Sequence, residues 1–190
     1  MKNSQIMLDL ETLATSPDAV VLTLGAIRFD PFADDTNSVD DTTIHMDTFY
    51  RRIDPESFTW DAAIEPSTMD WWMKQPEAVR EEAFAEDDRH DIRDVMRDFY
   101  KWANKGFEGV WANGPVFDIA MMEYITRQLE RGNPWRFWQV QDARTVYRLV
   151  KHDRPNPKLH HALWDCWSQI VALQSCFRNL NITEFPDNKR

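Results

Sequence analysis

At 190 residues the chain is long enough for one domain with a full core and short for two. Hydrophobic residues make up 43% and charged residues 28%, which argues against disorder; no apolar run nears ~18 residues and no basic leader precedes one, so neither a membrane span nor a secretory signal is expected and the location follows as cytoplasmic. The net charge of −10 speaks against a broad, charge-driven grip on phosphate, although carboxylates gathered around divalent ions would be counted here as bare charge.

The first strand signal is Ile6-Met7-Leu8-Asp9-Leu10-Glu11-Thr12. Side chains at i and i+2 of a strand share a face, so Asp9 and Glu11 present their oxygens together while Met7, Leu8 and Leu10 are free to enter a core. Like charges held that close raise each other's pKa unless a cation lies between them. A hairpin edge with solvated acids and one half of a metal site both satisfy this stretch. Thr15-Ser16-Pro17-Asp18 reads as a turn, and Ala19 to Phe29 as a long central strand beside the first. From Phe29 to Tyr50 there is no Lys or Arg, while Asp30, Asp34, Asp35, Asp40, Asp41 and Asp47 mark a solvated loop. Thr48 to Ile53 forms a third strand, stopped by Asp54-Pro55, and completes a meander.

Helical signals take over at Ser67-Thr68-Met69-Asp70, a capping pattern ahead of Trp71-Trp72-Met73. Pro76 opens a turn or helix through Ala85. Between Asp91 and Ala103, Ile92, Val95, Met96, Phe99 and Trp102 recur at helical spacing and face a core. Gly109 to Ala112 is a short strand, broken by Asn113-Gly114-Pro115 before a helix from Phe117 to Arg131. A strand at 139–141, a helix at 143–150 and a last helix from His161 to Phe177 follow. That helix carries the stripe Leu163, Cys166, Trp167, Ile170, Leu173 and Phe177, with Asp165 nearly opposite, beside Ala162, Gln169 and Ala172. Cys166 and Cys176 lie roughly 15 Å apart along it and are expected as free thiols. The expected organisation is a single domain over 1–178 and a loosely held tail over 179–190.

Acidic residues thus fall at the ends of different elements: Asp9 and Glu11 on the first strand, Asp118 at the start of a helix, Asp165 on the last helix. Sites are commonly assembled there. Hard oxygen ligands suit Mg²⁺ or Mn²⁺, and no Cys or His pair stands at zinc spacing. Two such ions can activate a water and stabilise the leaving oxygen of a phosphodiester. His160, just ahead of the last helix, can serve as general base, the role most often taken by histidine. Each residue also has a plain structural role: Asp118 as a dipole-favoured acid, His160 and His161 as partners of carbonyls, Asp142 as an N-cap, Trp71 and Trp72 as packing residues. Nine tryptophans are many for this core, and indoles also stack on bases.

The joint pattern resembles the DEDDh 3′–5′ exonucleases. Asp9-Leu10-Glu11-Thr12 is similar to their first motif (DxET), Asn113-Gly114-Pro115-Val116-Phe117-Asp118 to the second (NxxFD) and His160-His161-Ala162-Leu163-Trp164-Asp165 to the third (HxAxxD). Leu24 to Asp30 and Thr68 to Gln75 resemble the branch holding a mycobacterial exoribonuclease and the T-even phage exonuclease A. The resemblance implies an α/β, ribonuclease H-like fold, with a mixed five-stranded sheet flanked by helices. It implies two Mg²⁺ or Mn²⁺ held by Asp9, Glu11, Asp118 and Asp165, with His160 as general base and His161 its neighbour. The partner is a nucleic acid with a free 3′ end, single-stranded or overhanging, RNA or DNA, cut to 5′ nucleoside monophosphates. Thr12 and Leu13 meet the terminal nucleotide, Trp72 and Gln75 lie near its base or the cleft wall, and two copies can pair as a homodimer. Arg51, Arg52, Lys74, Arg127 and Lys158 are candidate phosphate contacts, or solvated surface charges. A catalytically silent binding domain on the same fold, or a phosphatase of small nucleotides, remains open beside this reading.

Overall fold

A computed structural model describes residues 3–186. Its centre is β1 (Gln5–Thr12), paired antiparallel with β2 (Val21–Phe29), which pairs antiparallel with β3 (Asp47–Ile53). The expected meander is therefore present. On the other side of β1 lie β5 (Gly109–Ala112) and then β6 (Val140–Asp142), both parallel. The sheet has six strands rather than the expected five, because β4 (Arg89–His90) adds in parallel to β3. Two residues are too few to show any periodicity, so nothing in the sequence marks this strand.

Helix α3 (Ile92–Ala103) and helix α4 (Asp118–Gln128) cover one face of the sheet. Ile6, Leu8 and Leu10 of β1 and Leu24 and Ala26 of β2 meet Val95, Phe99, Ile119 and Met122 there. The opposite face, which carries Met7 and Ile27, packs on α5 (Ala143–Tyr147) and α6 (Ala162–Asn179) through Ala143, Cys166, Ile170 and Phe177. Met7 thus lies under Asp9 and Glu11 on their own face. α1 (Pro66–Met73) and α2 (Glu77–Phe84) close one end, with Trp72 and Ala83 on Leu13, Val20 and Leu22. α1 begins at Pro66, ahead of the expected Ser67 cap, since proline's fixed φ suits the first helical position and Glu65 leads into it.

α6 is buried on every side, including Ser168, Gln169, Gln174 and Ser175, so its stripe is only one of its packed faces. The second cover is the acidic loop: Gln174 accepts from the Asp35 N–H at 3.0 Å and donates to the Asp30 carbonyl at 2.8 Å. That segment is docked through its backbone rather than merely solvated. Both cysteines are buried free thiols, as expected. The tail is held as far as Phe185, whose ring lies 4.9 Å from Phe32 and 5.7 Å from Phe177; its last residues, 187–190, lie outside the described residues. No described helix is long and apolar enough to cross a membrane.

One close approach decides where α6 sits. Gly25 of β2 pairs with Asp9 of β1, and a Cβ there would stand 2.5 Å from the Ala162 carbonyl carbon and 2.6 Å from the Leu163 nitrogen. Only hydrogen fits between this strand and the first turn of the helix that carries Asp165. Gly25→Ala is expected to lower stability by ~3 kcal/mol through overpacking against backbone, read as a lower urea midpoint; an unchanged midpoint would show that α6 does not need this contact.

Candidate active site

The parallel strands β1, β5 and β6 end on one side of the sheet, where open α/β sheets form their clefts. A cleft of about 760 Å³ opens there, lined by Asp9, Glu11, Asp118, Asp165 and His160. β1 supplies Asp9 and Glu11 from one face of the strand, α4 supplies Asp118 from its first residue, and α6 supplies Asp165 from its first turn. Oxygens of Asp9, Glu11 and Asp165 all lie within 4.8 Å of one another. The structure therefore brings together the five residues of the three motifs.

Three of the four carboxylates are held by hydrogen bonds. Asp9 accepts from Gln169 Nε2 at 2.7 Å, and Asp118 from the Leu10 N–H at 3.2 Å. Asp165 accepts from Asn156 Nδ2 at 2.7 Å and from the His161 N–H at 3.1 Å. Among the described residues none of the four forms an ion pair. Burial, and then the charges of Asp118, Asp165 and Glu11, push Asp9 well above the usual carboxylate range. Glu11 is raised in the same way by burial, Asp165 and Asp118. Burial lifts Asp118 to about 7 against the pull of the Leu10 N–H, and lifts Asp165 against that of Asn156. Such a cluster calls for a cation, and an all-oxygen donor set suits a hard divalent one.

His160 reaches the cleft from a left-handed backbone, φ 56°, with its ring edge-on to Trp71 at 4.8 Å. The next residue turns the other way. His161 stacks on Tyr50 at 4.7 Å with Nε2 3.6 Å from Glu82, so it anchors the loop beneath His160.

The four nucleotide candidates divide. Thr12 is buried; its hydroxyl donates to the Ala14 carbonyl at 2.7 Å and its own carbonyl accepts from Trp72 Nε1 at 2.9 Å. Leu13 and Trp72 are core residues, and Trp72, at 1% exposure, has no ring face left for a base. Trp71, at 41%, does. Gln75 turns its amide back to the Trp71 carbonyl, 3.1 Å away, rather than into the cleft. None of the five candidate phosphate cations lines the cleft. Arg52 is bound to Glu82 and Asp87, Arg51 lies over Phe49 and Lys158 over Trp164. The cations that do line it are Arg144, which donates to the Asn113 carbonyl at 2.7 Å, and Arg154. Their places come from loops and a short helix without any periodic signal, whereas Gln169 was legible as the residue one turn beyond Asp165.

Over residues 4–177 the chain matches the model of the 3′-5′ exoribonuclease Rv2179c-like domain. The chain belongs to this family. An exodeoxyribonuclease of Enterobacteria phage T4 is 24% identical over 206 residues, spanning 90% of this chain and 88% of that protein. The zinc-bound complex of E. coli exonuclease I with single-stranded DNA superposes with a TM-score of 0.63 at 14% identity, covering 94% of this chain and 41% of that one. The exonuclease I of Methylocaldum szegediense gives 0.60 at 17% identity, covering 93% and 40%. This chain therefore spans about two fifths of the length of those exonucleases. The fold is the ribonuclease H-like α/β fold of these nucleases, and the family is one of 3′–5′ exonucleases.

The raised carboxyls set a pH dependence. A carboxyl whose folded pKa exceeds its unfolded value favours folding fully below the unfolded pKa, and that contribution is lost as pH rises towards the folded pKa, here from about 4 to about 7 for Asp118. Asp118→Asn keeps an acceptor for the Leu10 N–H and removes the charge. In EDTA at pH 8 it should be more stable than wild type by ~2 kcal/mol, with a smaller gain at pH 5. Urea melts at the two pH values check this, and an equal gain at both would contradict the rise that burial gives the Asp118 carboxyl.

Proposed function

We propose that the chain is a divalent-metal-dependent 3′–5′ exonuclease that releases 5′ nucleoside monophosphates from the 3′ end of single-stranded or overhanging nucleic acid. The observation that carries this is the convergence of Asp9, Glu11, Asp118 and Asp165, without an ion-pair partner among the described residues, beside His160 in one open cleft. Membership of a 3′–5′ exoribonuclease family supports the direction of cutting.

In this reading the four carboxylates hold two Mg²⁺ or Mn²⁺. When bound, such ions lower the pKa of an attacking water and offset the charge on the leaving oxygen. Gln169, the Leu10 N–H, Asn156 and the His161 N–H orient Asp9, Asp118 and Asp165 before any cation arrives. His160 makes no hydrogen bond among the described residues that would occupy its ring, and takes the proton of the water as its oxygen bonds to phosphorus. The P–O3′ bond breaks, the upstream O3′ takes a proton from solvent to become the new 3′ hydroxyl, and the terminal residue leaves as a 5′ monophosphate. Arg144 and Arg154 face the phosphates across the cleft, supplying locally the positive charge that the chain lacks overall.

A 5′-labelled oligonucleotide with purified protein should shorten in a ladder from its 3′ end in Mg²⁺ or Mn²⁺ and stay intact in EDTA. Asp165→Asn should abolish the ladder, and His160→Ala should slow it by ~10²-fold or more. Wild type that retards the strand on a gel in either metal while leaving it whole would replace this reading with that of a binding domain. For Arg144→Ala, kcat/KM should fall and its salt dependence flatten by about one phosphate contact; an unchanged salt slope would remove Arg144 from the phosphate path.

A further inference from the structure

The chain's relatives point to different sugars: the family is described as an exoribonuclease, the phage protein as an exodeoxyribonuclease. A feature beside the carboxylates bears on this. Next to Glu11 a second hollow of about 410 Å³ is lined by Thr12, Thr15, Glu65, Thr68 and Trp71. Its volume lies within the ~300–1,000 Å³ usual for small ligands. It shares Leu10, Glu11, Thr15 and Phe117 with the main cleft, so a nucleotide whose phosphate reaches the carboxylates would place its sugar or base here.

Glu65 is fixed in that wall with unusual economy. Its backbone N–H donates to the Leu13 carbonyl at 2.9 Å, which ties it to the residue just beyond β1. Its carboxylate accepts from the Thr15 N–H at 3.1 Å, the Thr15 hydroxyl at 3.1 Å and the Thr68 hydroxyl at 3.3 Å, and all three bonds end on Oε2. Oε1 has no partner among the described residues. A carboxylate oxygen is an acceptor, so a ligand group that meets Oε1 has to be one that donates. On a nucleotide's sugar edge that group is a hydroxyl, and the one that separates ribose from deoxyribose is the 2′-OH.

We infer that Glu65 Oε1 accepts the 2′-hydroxyl of the 3′-terminal nucleotide and makes this chain favour RNA ends over DNA ends. The inference rests on the exonuclease reading for the placement of the nucleotide, and deepens it by naming the sugar. Trp71, with its exposed ring on the same hollow, offers the base a stacking face.

Glu65→Gln is a sharp probe. The Thr15 N–H needs an acceptor, so the amide oxygen takes the place of Oε2 and the NH₂ falls where Oε1 stood, turning an acceptor into a donor without loss of the scaffold bond. Two readouts are taken on wild type and variant. The first is kcat/KM on oligonucleotides of one sequence that are all RNA, all DNA, or RNA ending in a single 2′-deoxynucleotide. The second is binding of AMP and 2′-deoxy-AMP in Mn²⁺ by titration calorimetry, which needs no turnover. Wild type should favour the terminal ribose roughly tenfold in both, the size of one hydrogen bond to a charged group. Glu65→Gln should cut that ratio to about threefold or less, mostly by weakening the ribose ligand, with its melting temperature kept. Equal handling of the two sugars by wild type, or a ratio that Glu65→Gln leaves in place, overturns the assignment to Glu65. Absence of any cleavage by wild type instead sinks the exonuclease reading, while the two nucleotides still report on Glu65 directly.

Discussion

Four carboxylates crowded onto one cleft floor are the constraint on which the rest of the structure depends. Asp9, Glu11, Asp118 and Asp165 are lifted above their ordinary pKa values chiefly by burial, with mutual repulsion adding to it. Left alone they favour swelling of the cleft or protonation. The fold answers with hydrogen-bond donors that are neutral, namely the Gln169 and Asn156 amides and the Leu10 and His161 N–H groups. Neutral donors orient an acid without cancelling its charge, which leaves the charge for a cation.

Holding that arrangement demands rigid supports, and the supports are the buried parts of the chain. β1 is the centre of the sheet, with both its faces covered. α6 lies on it closely enough that Gly25 admits no side chain, and Cys166 of α6 donates its S–H to the Gly25 carbonyl at 3.4 Å. Asp165 is thereby placed by packing around a helix that is buried from Cys166 to Phe177, rather than by a loop. The less regular segment before α6 is tied at its end by His161, which stacks on Tyr50 inside the protein while His160 stays in the cleft.

The distribution of charge follows the same logic. The acidic segment after β2 spends its carboxylates locally: Asp40 caps its own turn through the Thr42 and Thr43 N–H groups, and Asp47 is bound by Lys105 and Trp102. Most of the negative charge is thus remote from the cleft, whose rim carries Arg144 and Arg154. A net charge of −10 is therefore compatible with a local path for phosphate.

The sequence by itself determined five of the six strands, the main helices and the carboxylates. Period-two and helical patterns follow from local geometry, and Asp9 with Glu11, Asp118, His160 and Asp165 stand in motifs whose spacing is a property of the chain. It also placed Gln169 beside Asp165, because residues one helical turn apart share a face. Tertiary structure alone decided which groups meet across long separations: that Asn156 reaches Asp165, that Arg144 and Arg154 face the cleft while Arg51 and Arg52 do not, and that Trp71 rather than Trp72 keeps an open ring. It alone showed the two-residue β4 and the bond of Glu65 to Thr15. Those outcomes depend on the packing of α6 and α1 against the sheet, and packing between distant segments leaves no periodic trace in either one.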